Sequence, residues 1–152
     1  MMLDSTRNGR PRAGETAAGR ARTGLLVVGS FVLVLYVIEI INALMLHSLN
    51  GTFGLRPRSP DGVLDILTFP LLHANLAHLF SNTLPLIIFG FLVLLSGPRV
   101  FFTTLALSWL ASGVVVWLIG GFNITVGASG LVFGLFAFLL VRGFFNRNWW
   151  QI

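Results

Sequence analysis

The 152 residues are 55% hydrophobic and 10% charged, with no cysteine, whereas ordinary soluble domains are about 45–50% apolar and about 25% charged. That balance places the chain in a bilayer, and the missing cysteines exclude disulfides and thiolate metal sites. The net charge of +5 rests on ten arginines scattered between apolar runs, a pattern of membrane topology rather than of a nucleic-acid-binding face.

Residues 1–24 are polar, glycine-rich and basic, and cannot bury a core. They are expected to form a disordered cytoplasmic tail ahead of a membrane domain over 25–152. The apolar run Leu25 to Leu49 is too long for a signal-peptide core of about 7–15 residues. At a rise of about 1.5 Å per residue it crosses a hydrocarbon layer of about 30 Å. The next stretch, through Asn75, is rich in glycine, proline and charge, and its "VLDILTFPLL" reads as a short amphipathic piece in the membrane interface. A second span is predicted over 76–96, with Asn75 as its N-cap and Pro85 as a kink. "SGPR" turns the chain into a third span over 100–119, and "GGFNITVG" returns it to a fourth over 128–145.

The arginines orient this layout. With the N-terminus inside, Arg7, Arg10, Arg12, Arg20, Arg22, Arg99, Arg142 and Arg147 are cytoplasmic. Arg56 and Arg58 alone lie outside, offset by Asp61 and Asp65. The expected fold is all-α, a polytopic helix bundle with four spans and both ends cytoplasmic. His47, His73 and His78 then share the outer half of the membrane with Ser129. Arg142 and Arg147, with Trp149 and Trp150, read as an interfacial belt.

The polar residues inside this apolar chain each carry two readings. In "GASG", Gly127 to Gly130, a serine opens the fourth span, and Gly130 and Gly134 form a G-x-x-x-G pair suited to close helix packing. The catalytic reading is that Gly127 leaves the backbone open to a substrate and that the free N–H groups of the first turn favour developing negative charge. In "HANLAHLFSN", His78 and Asn82 are one turn apart on one helix face, and His73 stands at the helix entrance. They are either interhelical glue worth about 1 kcal/mol per contact or donors aimed at an oxyanion. A metal site is disfavoured, because the set lacks a carboxylate or third strong ligand at sensible spacing. Glu39, the acid inside a predicted span, reads as a bonded structural glutamate with Tyr36 or Asn42 as its partner.

G-x-S-G opening a span, preceded by H-x4-H-x3-N on an earlier one, resembles the rhomboid family of intramembrane serine proteases. The residues carrying the likeness are His73, His78 and Asn82, then Gly127, Ser129 and Gly130. "GLRPRSPDGVLDILTFPLLHANLAHLFSNTLPLIIFG" is similar to an actinobacterial branch of that family, and the likeness covers residues 25–152. It implies a nucleophile at Ser129 and oxyanion stabilisation by His78, Asn82 and the Ser129 N–H. It also implies loop-ordering and water-holding roles for His73, and glycines at 130 and 134 packing against a sixth span. No cofactor and no metal is implied. The partners would be transmembrane protein substrates and the bilayer, not nucleic acid, in the plasma membrane of a bacterium.

Two departures accompany the likeness: Leu64 and Asp65 stand where many rhomboids have Trp-Arg, and Phe133 where some have a tyrosine. The family's proton-accepting histidine lies on a sixth span, and the sequence ends 23 residues after Ser129. The expectation is therefore an N-terminal part of a protease, with spans missing or supplied by a second chain. The alternatives are a four-span pseudoprotease that binds membrane helices without cutting them, and a structural or channel-like subunit. Use of His78 or His47 as a substitute base is disfavoured, since His78 would be lost as an oxyanion donor and His47 closes a different helix.

Overall fold

A computed structural model describes residues 17–145. Residues 1–16 of the expected tail, and Arg147, Trp149 and Trp150 of the expected belt, lie outside the described residues. Six helices follow one another: α1 (Ala17–Leu44), α2 (Ser48–Phe53), α3 (Gly62–Asp65), α4 (Leu76–Leu94), α5 (Pro98–Ile119) and α6 (Ser129–Phe145), with a 3-10 turn at Phe69–Leu71 between α3 and α4. The described residues form no strand, only an isolated antiparallel bridge between Leu55 and Thr125. The architecture is all-helical.

Three of these helices are long and apolar enough to cross a membrane, over 22–44, 76–94 and 98–119, and α6 is a shorter apolar helix of 17 residues. The ends of α4 and α5 follow local chemistry. Asn75 caps α4 with its side chain accepting from the His78 N–H at 2.8 Å. Pro98 sits in the first turn of α5, where its missing N–H costs nothing.

Span one differs from the expected 25–49 at both ends. Within the described residues its helix already runs from Ala17, and its membrane-length apolar part starts at Arg22. It stops at Leu44, although the sequence stays apolar through Leu46. There the backbone of Leu46 and His47 turns left-handed, with φ of 54° and 59°. The Asn42 carbonyl accepts the His47 N–H at 2.7 Å, closing the helix without glycine.

The helices pack in the order α1, α4, α6, α5. The α1 side of the core is a stripe at helical spacing: Val28, Val32, Leu35, Glu39 and Asn42, all buried. Leu79, Leu86 and Val93 of α4 meet it on one side, and α6 meets α4 with Leu131, Val132 and Leu135. Outward, Leu107, Leu110, Val115 and Leu118 of α5 stay exposed, as suits a helix whose solvent is lipid.

Among the described residues, Gly130 and Gly134 meet α5. A Cβ at Gly130 would overlap Ser112, and one at Gly134 would overlap Ser108. The two serines repeat the four-residue spacing of the glycines and turn their hydroxyls back onto their own helix, Ser108 to the Thr104 carbonyl and Ser112 to the Trp109 carbonyl. The seam is thus backbone-close and closed to hydrogen bonding across it. Gly134→Val is expected to destabilise the bundle by about 1–3 kcal/mol in SDS-induced unfolding, the cost of overpacking. Pairing Gly134→Ala with Ser108→Gly should recover most of the loss that Gly134→Ala causes alone, because the clash is between those two residues.

Candidate functional site

The loops between α2 and α4 build the floor on which α6 starts. Arg56 and Asp65 pair at 3.1 Å, so Asp65 anchors the loop to its own arginine, while the neighbouring Leu64 stays exposed. The Trp117 indole donates to the Ser59 carbonyl and the Trp109 indole to the Ile66 carbonyl, fastening the 54–72 segment to α5. Ile66, Phe69 and Leu72 point inward while Val63, Leu64 and Leu67 remain exposed, and Asp65 is buried on its arginine, so both faces of the segment expected to be amphipathic are largely apolar. Leu55 and Thr125 exchange backbone bonds at 2.9 Å in both directions, joining the loop after α2 to the loop ahead of Ser129.

Three contacts then fix the residues just before the serine. The Gly127 N–H donates to the Phe69 carbonyl at 3.0 Å. The Ala128 N–H donates to Nε2 of His73 at 3.4 Å. The His78 ring lies against the Gly127 Cα, where an added Cβ would stand 2.7 Å from Cε1. Gly127 also has φ of +123°, a conformation that side chains other than hydrogen rarely adopt. The two imidazoles stand edge to face with centroids 5.2 Å apart. His73, His78, Gly127 and Ala128 therefore form one packed unit that presents Ser129 at the first turn of α6.

Ser129 itself is exposed, and among the described residues its hydroxyl makes no hydrogen bond to a histidine. Asn82 is buried one turn below His78, with its Nδ2 donating to the His78 carbonyl at 3.1 Å. In this arrangement the Asn82 amide is held by its own helix. No group of three or more metal-ligating side chains occurs among the described residues.

His73 is fully buried, and its pKa is lowered from 6.5 to about 4, chiefly by loss of hydration and secondly by His78, with a weaker opposing contribution from the Leu71 backbone. The ring is neutral at physiological pH. Since Nε2 accepts from Ala128, the proton resides on Nδ1. His73 consequently has no free acceptor nitrogen with which to take a serine proton.

The folded state binds this proton more weakly than the unfolded chain, so its contribution to stability is complete above pH 6.5 and is lost as pH falls toward 4. The acid limb of unfolding between pH 6.5 and 4 is expected to flatten in His73→Ala, measured by denaturant titration at stepped pH.

Beneath this unit lies a buried polar cluster. Glu39, fully buried, accepts from Nδ2 of Asn42 at 3.3 Å and meets Nε2 of His47 at 3.3 Å. Asn42 was one of the two partners expected for Glu39; the other, Tyr36, instead bonds the Thr83 hydroxyl at 3.2 Å. Asn50 joins the cluster from α2. The sequence offers no local signal for that, because α2 folds back onto α1 only through the turn at 45–47.

The histidine pair on the entrance of α4, clamped onto a G-x-S-G loop, matches the motif pairing in the sequence, and a comparison with known families decides it. The rhomboid domain matches residues 60–152. This chain belongs to the rhomboid family. It is similar to uncharacterized proteins of Mycobacterium tuberculosis and Mycobacterium bovis, each 41% identical over 153 residues, covering 95% of this chain and 63% of the relative. An uncharacterized protein of Mycobacterium leprae is 40% identical over 139 residues, covering 88% of this chain and 55% of that protein. This rhomboid chain thus spans less than two thirds of the length of these relatives. No solved structure matches it. With its apolar helices, the rhomboid chain is an integral membrane protein.

Proposed function

We propose that this rhomboid chain is part of an intramembrane serine protease that hydrolyses peptide bonds in or near transmembrane segments of other membrane proteins. The observation that carries the reading is the clamp of His73 and His78 on Gly127 and Ala128, which fixes the backbone that delivers Ser129. Packing alone would be served by any small residue there, whereas this backbone, at positive φ and under an imidazole, admits glycine specifically.

In the proposed reaction the Ser129 oxygen attacks the scissile carbonyl, its proton passes to a base, and the carbonyl oxygen becomes an oxyanion. The Ser129 N–H and the side chains of His78 and Asn82 stabilise that charge, Asn82 turning from the His78 carbonyl to do so. Collapse of the tetrahedral intermediate breaks the C–N bond, the base returns the proton to the leaving amine, and water then hydrolyses the acyl-serine. His73 holds the loop and does not accept the serine proton. The base is proposed to come from outside these 152 residues, on the span to which the family likeness assigns it, within the same chain or from a second one. The arginine distribution supports a cytoplasmic N-terminus in a bacterial plasma membrane, with the site toward the outer face.

The test is cleavage of a single-span substrate by the full-length protein in liposomes. Cutting that is lost in Ser129→Ala supports the protease. Crosslinking of the substrate that persists in Ser129→Ala, with no cutting by wild type, would assign it instead as a helix-binding pseudoprotease.

A further inference from the structure

The core stripe of α1 would continue with aliphatic residues if packing were its purpose, yet its last two buried positions are Glu39 and Asn42, both without solvent exposure. Carboxyl and amide groups at that depth are costly, and the Asn42 Oδ1 has no partner among the described residues, so the bonds that Asn42 Nδ2 and Glu39 do make bear on their purpose. Asn42 Nδ2 stands among three oxygens: Asn50 Oδ1 at 2.9 Å, Glu39 Oε2 at 3.3 Å and the His73 carbonyl at 3.3 Å. Asn50 Nδ2 reaches the same His73 carbonyl at 2.9 Å. Two amides from two different helices thus converge on one backbone oxygen. That oxygen belongs to the residue whose ring accepts the Ala128 N–H.

We infer that Glu39, Asn42 and Asn50 are positioning residues: they hold the His73 backbone and, through the His73 ring, set the register of the loop that presents Ser129. Glu39 fixes which way the Asn42 amide faces, by accepting from its Nδ2. His47, held at a left-handed φ of 59°, meets the other carboxylate oxygen and keeps Glu39 in place. The device connects α1 and α2 to the start of α6 without touching Ser129. Its catalytic consequence rests on the protease reading; its structural consequence does not.

The experiment compares Asn42→Ala and Asn50→Ala with wild type in the full-length protein in lipid nanodiscs. Amide hydrogen exchange is read at Gly127 and Ala128 and at mid-α4 around Leu86, alongside kinetics on a single-span substrate. Exchange at Ala128 is expected to accelerate by about tenfold in Asn42→Ala, roughly the effect of one lost hydrogen bond, and by less in Asn50→Ala, while α4 keeps its protection. Turnover should fall by about 10–100-fold with KM little changed, the signature of misplacement rather than of lost binding. Glu39→Gln, which keeps an acceptor for Asn42, should restore most of what Glu39→Leu loses. Should Asn42→Ala fail to fold, Asn50→Ala, altered outside the spans, decides the matter.

Wild-type protection at Ala128 in the folded variants would overturn the inference. Accelerated exchange at Ala128 in a protein that cleaves nothing would uphold the positioning device and sink the protease reading.

Discussion

Cleavage of a single-span substrate by the full-length protein is expected to fall by roughly 10⁴-fold or more in Ser129→Ala, measured as single-turnover rate in liposomes. The size follows from the chemistry: no other hydroxyl occupies the first turn of α6, and without a nucleophile only binding and oxyanion stabilisation would remain. The variant should fold normally, because Ser129 is exposed and its hydroxyl bonds nothing among the described residues. His73→Ala should behave differently, retaining the nucleophile but losing the acceptor for the Ala128 N–H. A Ser129→Ala protein with wild-type cutting would leave the site with no catalytic meaning.

Gly127→Ala is expected to be nearly as damaging for a different reason. A methyl group there must displace the His78 ring, whose Cε1 would be 2.7 Å away and whose Nε2 would be 3.0 Å away. The backbone is also held at φ of +123°, which costs a non-glycine residue about 1–3 kcal/mol. Relaxing the backbone instead would strain the Gly127 bond to Phe69 and the Ala128 bond to His73. Both routes move Ser129 relative to His78, and misplacement on the order of 1 Å costs about 10²-fold in rate. Turnover reduced by that factor, together with a lower unfolding midpoint, is the expected result. A rate within twofold of wild type would show that the clamp does not position the serine.

The sequence foretold the helices best where their ends carry local chemistry. Asn75 marks the start of α4 as expected, while Pro98, read as part of a turn, opens α5 two residues earlier than expected. The end of α1 was hidden, because its break falls at Leu46 and His47 without a Gly or Pro signal, within a long, mostly apolar run. What stops the helix is a bond between the Asn42 carbonyl and the His47 N–H that belongs to the polar cluster. The Glu39–Asn42 pairing was within reach of helical spacing, whereas Asn50 and the His73 carbonyl needed the tertiary fold. The glycine pair was read as a helix-packing face, and the α5 serines it meets within this chain were not named. The four-residue spacing of Ser108 and Ser112 was the available signal, masked by the ordinary occurrence of serine in membrane helices. For the site, the histidines and G-x-S-G were legible as motifs, and their meeting at Gly127 became visible only in three dimensions.

One measurement addresses the central claim directly. The protein is treated with a fluorophosphonate in its source membrane at neutral pH, and the adduct is mapped by peptide mass spectrometry. The account expects a single modified serine, Ser129, and suppression of labelling by His78→Ala. Labelling spread over Ser81, Ser108 and Ser112, or none at Ser129 in a protein shown to be intact and folded, would contradict an activated nucleophile at this position.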